Sequence, residues 1–130
     1  MTRLRVVAPG IRVATSRRDS TNTVVVDGPS GALVIDPAWD ADELDELAAE
    51  LGGAIAAGLA THAHHDHLLW HPGFGAVPRW ASNATARLAV SERAELLGEL
   101  GTAYPTESLA LFARVVPFLG DTPDLSLIHI

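Results

Sequence analysis

The first 60 residues divide into short apolar runs separated by polar and turn-forming residues. The runs occupy residues 4–8, 11–14, 23–26 and 32–35. Pro9-Gly10 and the Gly-Pro-Ser-Gly segment at 28–31 lie in the breaks, and short apolar runs bounded in this way predict strands. Residues 24–26 and 33–35 are continuously apolar, which is typical of strands covered on both faces. The pattern therefore predicts a sheet with a layer on each side.

A helical pattern follows the fourth run. Asp40 and Glu43 have the spacing of a capping box. The residues expected on the buried side of this helix are Leu44, Leu47 and Leu51. Glycines at 52 and 53 predict the end of the helix. Residues 54–60 are small and apolar and predict a buried strand, which leads directly into residue 61.

The second half of the chain is less regular. Residues 78–81 predict a short strand, and residues 83–100 predict a helix. The residues expected to be buried in that helix are Leu88, Leu96 and Leu100. Residues 106–118 are ambiguous between a helix and a buried strand, because Pro117 argues against one uninterrupted element. Proline and two glycines within 68–75 predict irregular backbone there.

The composition excludes several classes of function. The net charge of −7, with 9 arginines against 16 acidic residues, provides no basic surface for a phosphate backbone, so we do not expect nucleic-acid binding. Because the chain has no cysteine, any metal must be held by histidine and carboxylate. No apolar run reaches the length of a membrane span or of a signal-peptide core, and we expect a cytoplasmic protein.

Residues 61–67 read Thr-His-Ala-His-His-Asp-His, a cluster that folding alone does not explain. Four of them, His62, His64, Asp66 and His67, spell His-x-His-x-Asp-His, which looks like a two-site metal loop. In an extended segment the first three would share a face, and His67 would need a bend to join them. The loop follows a predicted strand, where open α/β sheets usually place ligand sites. The alternative is a chance histidine-rich surface turn.

With this loop, residues 11–81 resemble the metallo-β-lactamase superfamily of metallo-hydrolases. The resemblance rests on paired strands, the sequence Leu33-Val34-Ile35-Asp36, a helix, a strand and then the His-x-His-x-Asp-His loop. It implies an α/β fold, an αββα sandwich of two mixed sheets face to face with helices outside. We expect the chain to be truncated to the N-terminal half of that fold, with the loop at one edge.

The resemblance also implies roles for individual residues. His62 and His64 would bind one metal ion, and Asp66 and His67 would bind a second. Asp36 would support the site without binding metal directly, although it could simply accept backbone hydrogen bonds before Pro37. Two zinc ions are the usual choice, and a site of nitrogen and oxygen ligands also suits iron or manganese.

The implied reaction is hydrolysis of a small molecule. Bound zinc lowers the pKa of its water from about 15.7 to about 7, so that hydroxide is available at neutral pH as the nucleophile. Asp66 would orient the hydroxide and pass its proton to the leaving group. The expected substrate is an ester, thioester, lactone, amide or phosphoester. The rival interpretations are an iron redox enzyme on the same fold and a metal-binding module without catalysis.

Two features depart from the family pattern. Residues 68–71, Leu-Leu-Trp-His, stand where many relatives have a glycine pair, which indicates a less familiar branch. The family also takes a further histidine for each metal and a bridging carboxylate from later in the fold.

We expect residues 1–124 to be the N-terminal portion of one domain, inactive by itself. We expect residues 125–130, including His129, to be a non-native tail.

The remaining histidines and the tryptophans have plainer interpretations. His65 occupies the variable position of the motif, where exposure or a supporting hydrogen bond is expected. His71 is expected in a loop near the mouth of the pocket. Trp39, Trp70 and Trp80 are expected at the edge of the core, and only Trp70 has a position that would also suit a substrate pocket.

Overall fold

A mixed sheet of seven strands, which lie in sequence order, forms the frame of the structure. The computed structural model describes residues 4–38, 40–101 and 104–117. The strands are β1 (Arg5–Ala8), β2 (Ile11–Thr15), β3 (Asn22–Gly28), β4 (Gly31–Ile35), β5 (Ile55–Leu59), β6 (Arg79–Ala81) and β7 (Val116–Pro117). The helices are α1 (Ala41–Leu51), α2 (Asn83–Ser91), α3 (Arg93–Leu100) and α4 (Thr106–Leu111), and a 3₁₀ helix spans Pro72–Phe74.

The direction of the strands changes at β4. The pairs from β1 to β4 are antiparallel, and the pairs from β4 to β7 are parallel. The connection between β4 and β5 contains α1, and Ile35 lies opposite Leu59 in the ladder. Because these two strands are parallel, their carboxyl ends meet at the same edge of the sheet. Asp36 and Thr61, which follow the two strands, therefore lie close together.

Apolar side chains are buried on both faces of the central strands, but among the described residues helices contribute to one of the two clusters alone, so the predicted layer on the second face is not seen. The larger cluster includes Val25 and Val34 of the sheet and Leu44, Leu47, Ala89 and Leu96 of the helices. The smaller cluster, on the opposite face, is formed by Val26, Leu33 and Ala57. A mixed sheet with helices packed against one face is one sheet-and-helix half of the predicted αββα sandwich.

The predicted elements of the first half are confirmed. The capping box between Asp40 and Glu43 is present, and the Asp40 amide donates to Glu43 Oε1 over 3.4 Å. Gly52 ends α1 with a φ of 62°, a left-handed conformation that glycine adopts without steric cost. The three leucines predicted for the buried side of α1 are buried.

The helix predicted for residues 83–100 is two helices, α2 and α3, with Glu92 between them. The prediction that Leu88 is buried is wrong, because this residue is 45% exposed. Helix α2 buries the smaller residues Thr85, Ala86 and Ala89 instead. Small side chains allow the helix to approach the sheet closely, and Leu88 then points away from it. Leu96 and Leu100 are buried, as predicted.

The ambiguous segment at 106–118 contains both kinds of element, since α4 is followed by β7. Trp39, residue 118, the predicted boundary at 124 and the predicted tail at 125–130 lie outside the described residues. Within the ranges that the structure describes, each helix is too short or too polar to cross a membrane.

Trp70 packs in the core directly after the motif. Its ring meets the ring of Phe74 edge-on, with the centroids 4.9 Å apart, and the Arg79 guanidinium lies 4.8 Å from its centroid. Gly58 in β5 leaves the necessary space, because a Cβ there would lie 2.6 Å from Trp70 Cζ3. Arg79 also donates a hydrogen bond of 3.1 Å to the Leu68 carbonyl. The segment after the motif is thereby attached to the sheet.

We expect Gly58→Ala to destabilise the protein by about 1–3 kcal/mol, because overpacking forces a rigid ring or the strand to shift. The matched control is Gly98→Ala in α3, where nothing lies within 4 Å of the added Cβ. Alanine there should be neutral or stabilising by up to about 1 kcal/mol. Urea unfolding of both variants measures the two changes. A Gly58→Ala protein as stable as the wild type would contradict the packing of Trp70.

Candidate metal centre

The loop at 61–67 leaves the carboxyl end of β5 and folds into tight turns. The His64 amide donates to the His62 carbonyl over 3.1 Å, and the His67 amide donates to the His64 carbonyl over 3.0 Å. The prediction of an extended segment, with alternate side chains on one face, is therefore wrong. Such short-range backbone bonds require a bent chain, so turns rather than strand alternation bring the side chains together.

The three histidine rings of the motif lie against one another. The ring centroids of His62 and His67 are 3.8 Å apart, and those of His62 and His64 are 4.5 Å apart. His62 and His64 are exposed, whereas His67 is half-buried. Neutral imidazole is the form of histidine that binds metal, and ring nitrogens this close together suit a metal site.

Asp66 lies at the buried side of the cluster. Its Oδ2 atom is 3.6 Å from His67 Nε2 and accepts a hydrogen bond of 2.6 Å from the Thr21 hydroxyl. Two ligand atoms of a tetrahedral zinc ion, each about 2.0–2.1 Å from the metal, are about 3.3–3.4 Å apart. The separation between Asp66 and His67 is close to that value, so the two side chains fit a shared ion.

The Asp36 carboxylate connects the end of β4 to the loop. Its Oδ1 accepts the Thr61 amide over 2.8 Å, and its Oδ2 accepts the Thr61 hydroxyl and lies 2.9 Å from His67 Nδ1. Asp36 has a φ of 51°, in the left-handed region. This conformation costs about 1–3 kcal/mol in a residue other than glycine and persists only where the surroundings hold it. The contacts to the loop provide that restraint.

One ligand atom from each of Asp36, His62 and His67 lies within 4.8 Å of the other two. His67 Nδ1 is buried and makes no hydrogen bond of favourable angle to any residue that the structure describes, although the Asp36 oxygen is close. Imidazole nitrogens and carboxylate oxygens this close together, buried or half-buried, fit a divalent cation. The division of the motif residues between two ions, and the supporting role of Asp36, stay predictions.

The charges of the cluster move the pKa values of its members in different directions. Burial alone would lower the pKa of His67, but the close contact with Asp36 and the charge of Asp66 outweigh it, and the pKa is raised. Burial and the two neighbouring rings lower the pKa of His62. Burial would raise the pKa of Asp66, but the Thr21 hydroxyl and His67 bring it below the usual value. Asp66 is therefore ionised at neutral pH.

Two further histidines are held by partners outside this cluster. His65 Nδ1 lies 3.2 Å from Glu99 Oε2 in α3. His71 Nε2 lies 2.7 Å from Asp45 Oδ1 in α1, and its Nδ1 accepts the Gly73 amide over 2.9 Å. The two contacts of His71 attach the 3₁₀ turn to α1.

A small pocket of about 10 Å³ lies beside His67, and Trp70 and Arg79 are among its lining residues. Trp70 is 2% exposed, so it packs in the core, and it also lines this pocket. Trp80 is half-buried on the opposite face of the sheet, against the smaller apolar cluster.

Two threonines that contact the cluster were not among the predicted site residues. The Thr61 hydroxyl contacts Asp36 and also lies 2.9 Å from His62 Nδ1. Its place directly before the motif was a signal that could have found it. Thr21 is 45 positions away from Asp66. No spacing in the sequence indicates that contact, because it arises from the packing of two separate loops.

Comparison with known proteins places these features in context. The family model described as the metallo-beta-lactamase superfamily matches residues 16–106. Among solved structures, a metallo-β-lactamase from Hirschia baltica is 22% identical with a TM-score of 0.52, over 69% of this chain and 47% of its own. One from Pontibacter korlensis is 23% identical with a TM-score of 0.53, over 69% of this chain and 47% of its own.

A third similar structure is the metallo-β-lactamase FIM-1 from Pseudomonas aeruginosa, solved in a mono-zinc form. It is 18% identical with a TM-score of 0.51, over 69% of this chain and 46% of its own. At such identities the likeness shows the fold alone. The chain spans about half the length of these solved structures. A search of curated proteins finds no match.

In the metal-free protein we expect His67 to titrate at a higher pH than His62, as measured by NMR of the ring protons. Because the folded-state pKa of His67 is raised, its protonated ring contributes stability that is fully present below the unfolded pKa of about 6.5. That stability is lost as the pH rises through the folded-state pKa. Asp36→Asn should lower the pKa of His67, and Asp45→Asn, the control at His71, should not. Equal pKa values for His62 and His67 would contradict the geometry.

Proposed function

The chain belongs to the metallo-β-lactamase superfamily, and we propose that the full-length protein is a metal-dependent hydrolase of a small molecule. The observation that carries the proposal is the convergence of imidazole nitrogens and carboxylate oxygens at one edge of the sheet, with Asp66 Oδ2 3.6 Å from His67 Nε2. Hydrolytic zinc sites are built from these two ligand types.

We assign the metal to the motif residues. His62 and His64, whose ring centroids are 4.5 Å apart, would hold one ion, and Asp66 and His67 would hold the other. Zinc is the proposed metal, which the donor atoms suit. The mono-zinc form of FIM-1 supports that choice. Catalytic zinc usually has three protein ligands. Because these assignments provide two for each ion, we expect residues 1–130 alone to bind zinc weakly and to be inactive.

The chain's own residues would orient the reactants and move the proton. When bound, the metal would act as a Lewis acid that polarises the substrate oxygen and lowers the pKa of a water molecule from about 15.7 to about 7. Asp66 is ionised and accepts a proton from the attacking water. The water oxygen bonds to the carbonyl or phosphoryl centre, the bond to the leaving group breaks, and Asp66 returns the proton to the leaving group.

The residues around His67 and His62 bear on how each ring would bind a metal. Asp36 Oδ2 lies 2.9 Å from His67 Nδ1, and Nε2 on the other side of the ring lies 3.6 Å from Asp66 Oδ2. A carboxylate behind a ligating histidine fixes the orientation of its ring and raises its basicity. His62 is neutral at pH 7 because its pKa is lowered, and its lone pair is available to a metal. The proposed substrates are esters, thioesters, lactones, amides or phosphoesters.

We expect Asp66→Ala to lower kcat by about 100- to 10,000-fold, the usual contribution of a general acid and base, and to weaken metal binding as well. His62→Ala should reduce the zinc content. The assay measures bound metal by atomic emission spectroscopy on full-length protein. It then measures initial rates on a panel of one ester, thioester, lactone, amide and phosphoester.

The matched control is His71→Ala, since the ring of His71 is held by Asp45 and Gly73 away from the cluster. It should retain both metal and turnover. Unchanged turnover in Asp66→Ala would exclude the role that we give this residue. Redox-active iron in the purified protein would favour an iron enzyme on the same fold, and stoichiometric zinc without any turnover would favour a non-catalytic metal-binding module.

A further inference from the structure

We propose that Thr21 is a positioning residue that fixes the orientation of the Asp66 carboxylate toward the metal and the attacking water. This inference rests on the proposed function. The Thr21 hydroxyl donates to Asp66 Oδ2 over 2.6 Å, and the two residues are 7% and 9% exposed. In the part of the chain that the structure describes, Thr21 is the one side chain that donates a hydrogen bond to Asp66.

The loop that carries Thr21 is closed by its own hydrogen bonds. The Thr21 amide donates to Ser16 Oγ over 2.9 Å, and the Ser16 amide donates to the Thr21 carbonyl over 2.9 Å. Between them, Asp19 and Ser20 have φ values of 60° and 50°, so the chain makes a tight reversal. The backbone of Thr21 is thus held at both its polar atoms. The position from which its hydroxyl reaches Asp66 is therefore set by the hydrogen bonds of the loop backbone.

The same loop is attached to the start of α1. The Arg17 amide donates to Glu43 Oε2 over 3.1 Å, and Glu43, which is buried, also completes the capping box of that helix. Ion pairs from Arg17 to Asp42 and from Arg18 to Asp40 add contacts at the surface. Exposed pairs of this kind contribute little to stability. The buried Glu43 is therefore the main tie, and it prevents the loop from moving independently of α1.

A carboxylate needs this kind of support if it is to bind metal and transfer a proton. Its oxygens exchange positions by rotation about the Cβ–Cγ bond, and an ionised carboxylate has about four lone-pair directions. A charge-assisted O–H···O⁻ bond of about 2.5–2.7 Å is among the stronger hydrogen bonds in proteins. The Thr21 bond occupies one direction on Oδ2 and stops the rotation. The second lone pair of Oδ2, the atom that lies 3.6 Å from His67 Nε2, then keeps a constant direction.

A purely structural tie between two loops would have a different signature. It would contribute to the free energy of unfolding but would leave metal affinity and kcat unchanged once the protein is folded. A positioning contact acts on both, because partners behind a metal ligand typically change metal affinity or activity by about 10- to 100-fold. The hydroxyl itself, rather than the volume of the side chain, must carry the effect.

The test compares four variants of the full-length protein. Thr21→Val keeps the shape and removes the hydroxyl, and Thr21→Ser keeps the hydroxyl. Thr21→Ala, compared with Thr21→Ser, isolates the same hydroxyl if the valine does not fold. The control is Thr15→Val, which removes an exposed hydroxyl that contacts Asn22 Oδ1 over 2.7 Å at the other end of the loop. Zinc affinity is measured by chelator competition on metal-free protein, and kcat and KM are measured separately.

We expect Thr21→Val to weaken binding of the zinc ion that we assign to Asp66 and His67 by about 10- to 100-fold. We also expect it to lower kcat with little change in KM. Thr21→Ser should recover both quantities, and Thr15→Val should resemble the wild type. The inference is overturned if Thr21→Val binds zinc and turns over like the wild type. If the valine variant does not fold, it is overturned if Thr21→Ala has the zinc affinity and kcat of Thr21→Ser. If the wild type binds zinc but hydrolyses nothing, the proposed function fails, and the zinc affinities alone still decide the role of Thr21.

Discussion

The parallel pairing of β4 with β5 is the constraint on which the site depends. It brings the residues after the two strands together, so that the Thr61 amide donates to Asp36 Oδ1 over 2.8 Å. A parallel pair requires a crossover connection, and α1 provides it by burying Leu44 and Leu47 against the sheet. The loop that begins at Thr61 therefore starts beside a carboxylate, and its turns bring His67 back to that carboxylate.

Two buried carboxylates need hydrogen-bond donors, and this need explains the shape of the loop. Asp36 and Asp66 are nearly removed from water, which is costly for a charge without hydrogen bonds or a partner ion. Thr61 and Thr21 each supply donors, and His67 lies between the two carboxylates, 2.9 Å from one and 3.6 Å from the other. A half-buried imidazole in this place stabilises a positive charge, either as a proton on the ring or as a metal ion bound beside it. The same interactions that organise the loop thus prepare it for a cation.

The local elements could be predicted because their signals are local. Turn residues delimit β1 to β4, and the capping box of Asp40 and Glu43 marks the start of α1 whatever the rest of the chain does. Leu88 is a residue whose burial the local spacing did not predict correctly. Its spacing is that of a buried helical residue, but the close approach of α2 to the sheet selects the small residues for the buried side. Likewise, the turns of the motif loop could not be seen in its alternating pattern, since they depend on where β4 ends.

The sequence by itself determined the type of donor atoms, because a chain without cysteine can offer a metal only nitrogen and oxygen. It also determined the order of strands and helix that marks the family, and the position of the motif directly after a strand. Only the tertiary structure decided which side chains face the motif. Asp36 contacts His67, and Thr21 contacts Asp66 across 45 positions. These contacts depend on strand pairing and on the packing of one loop against another, and neither has a period or a spacing that a sequence can display.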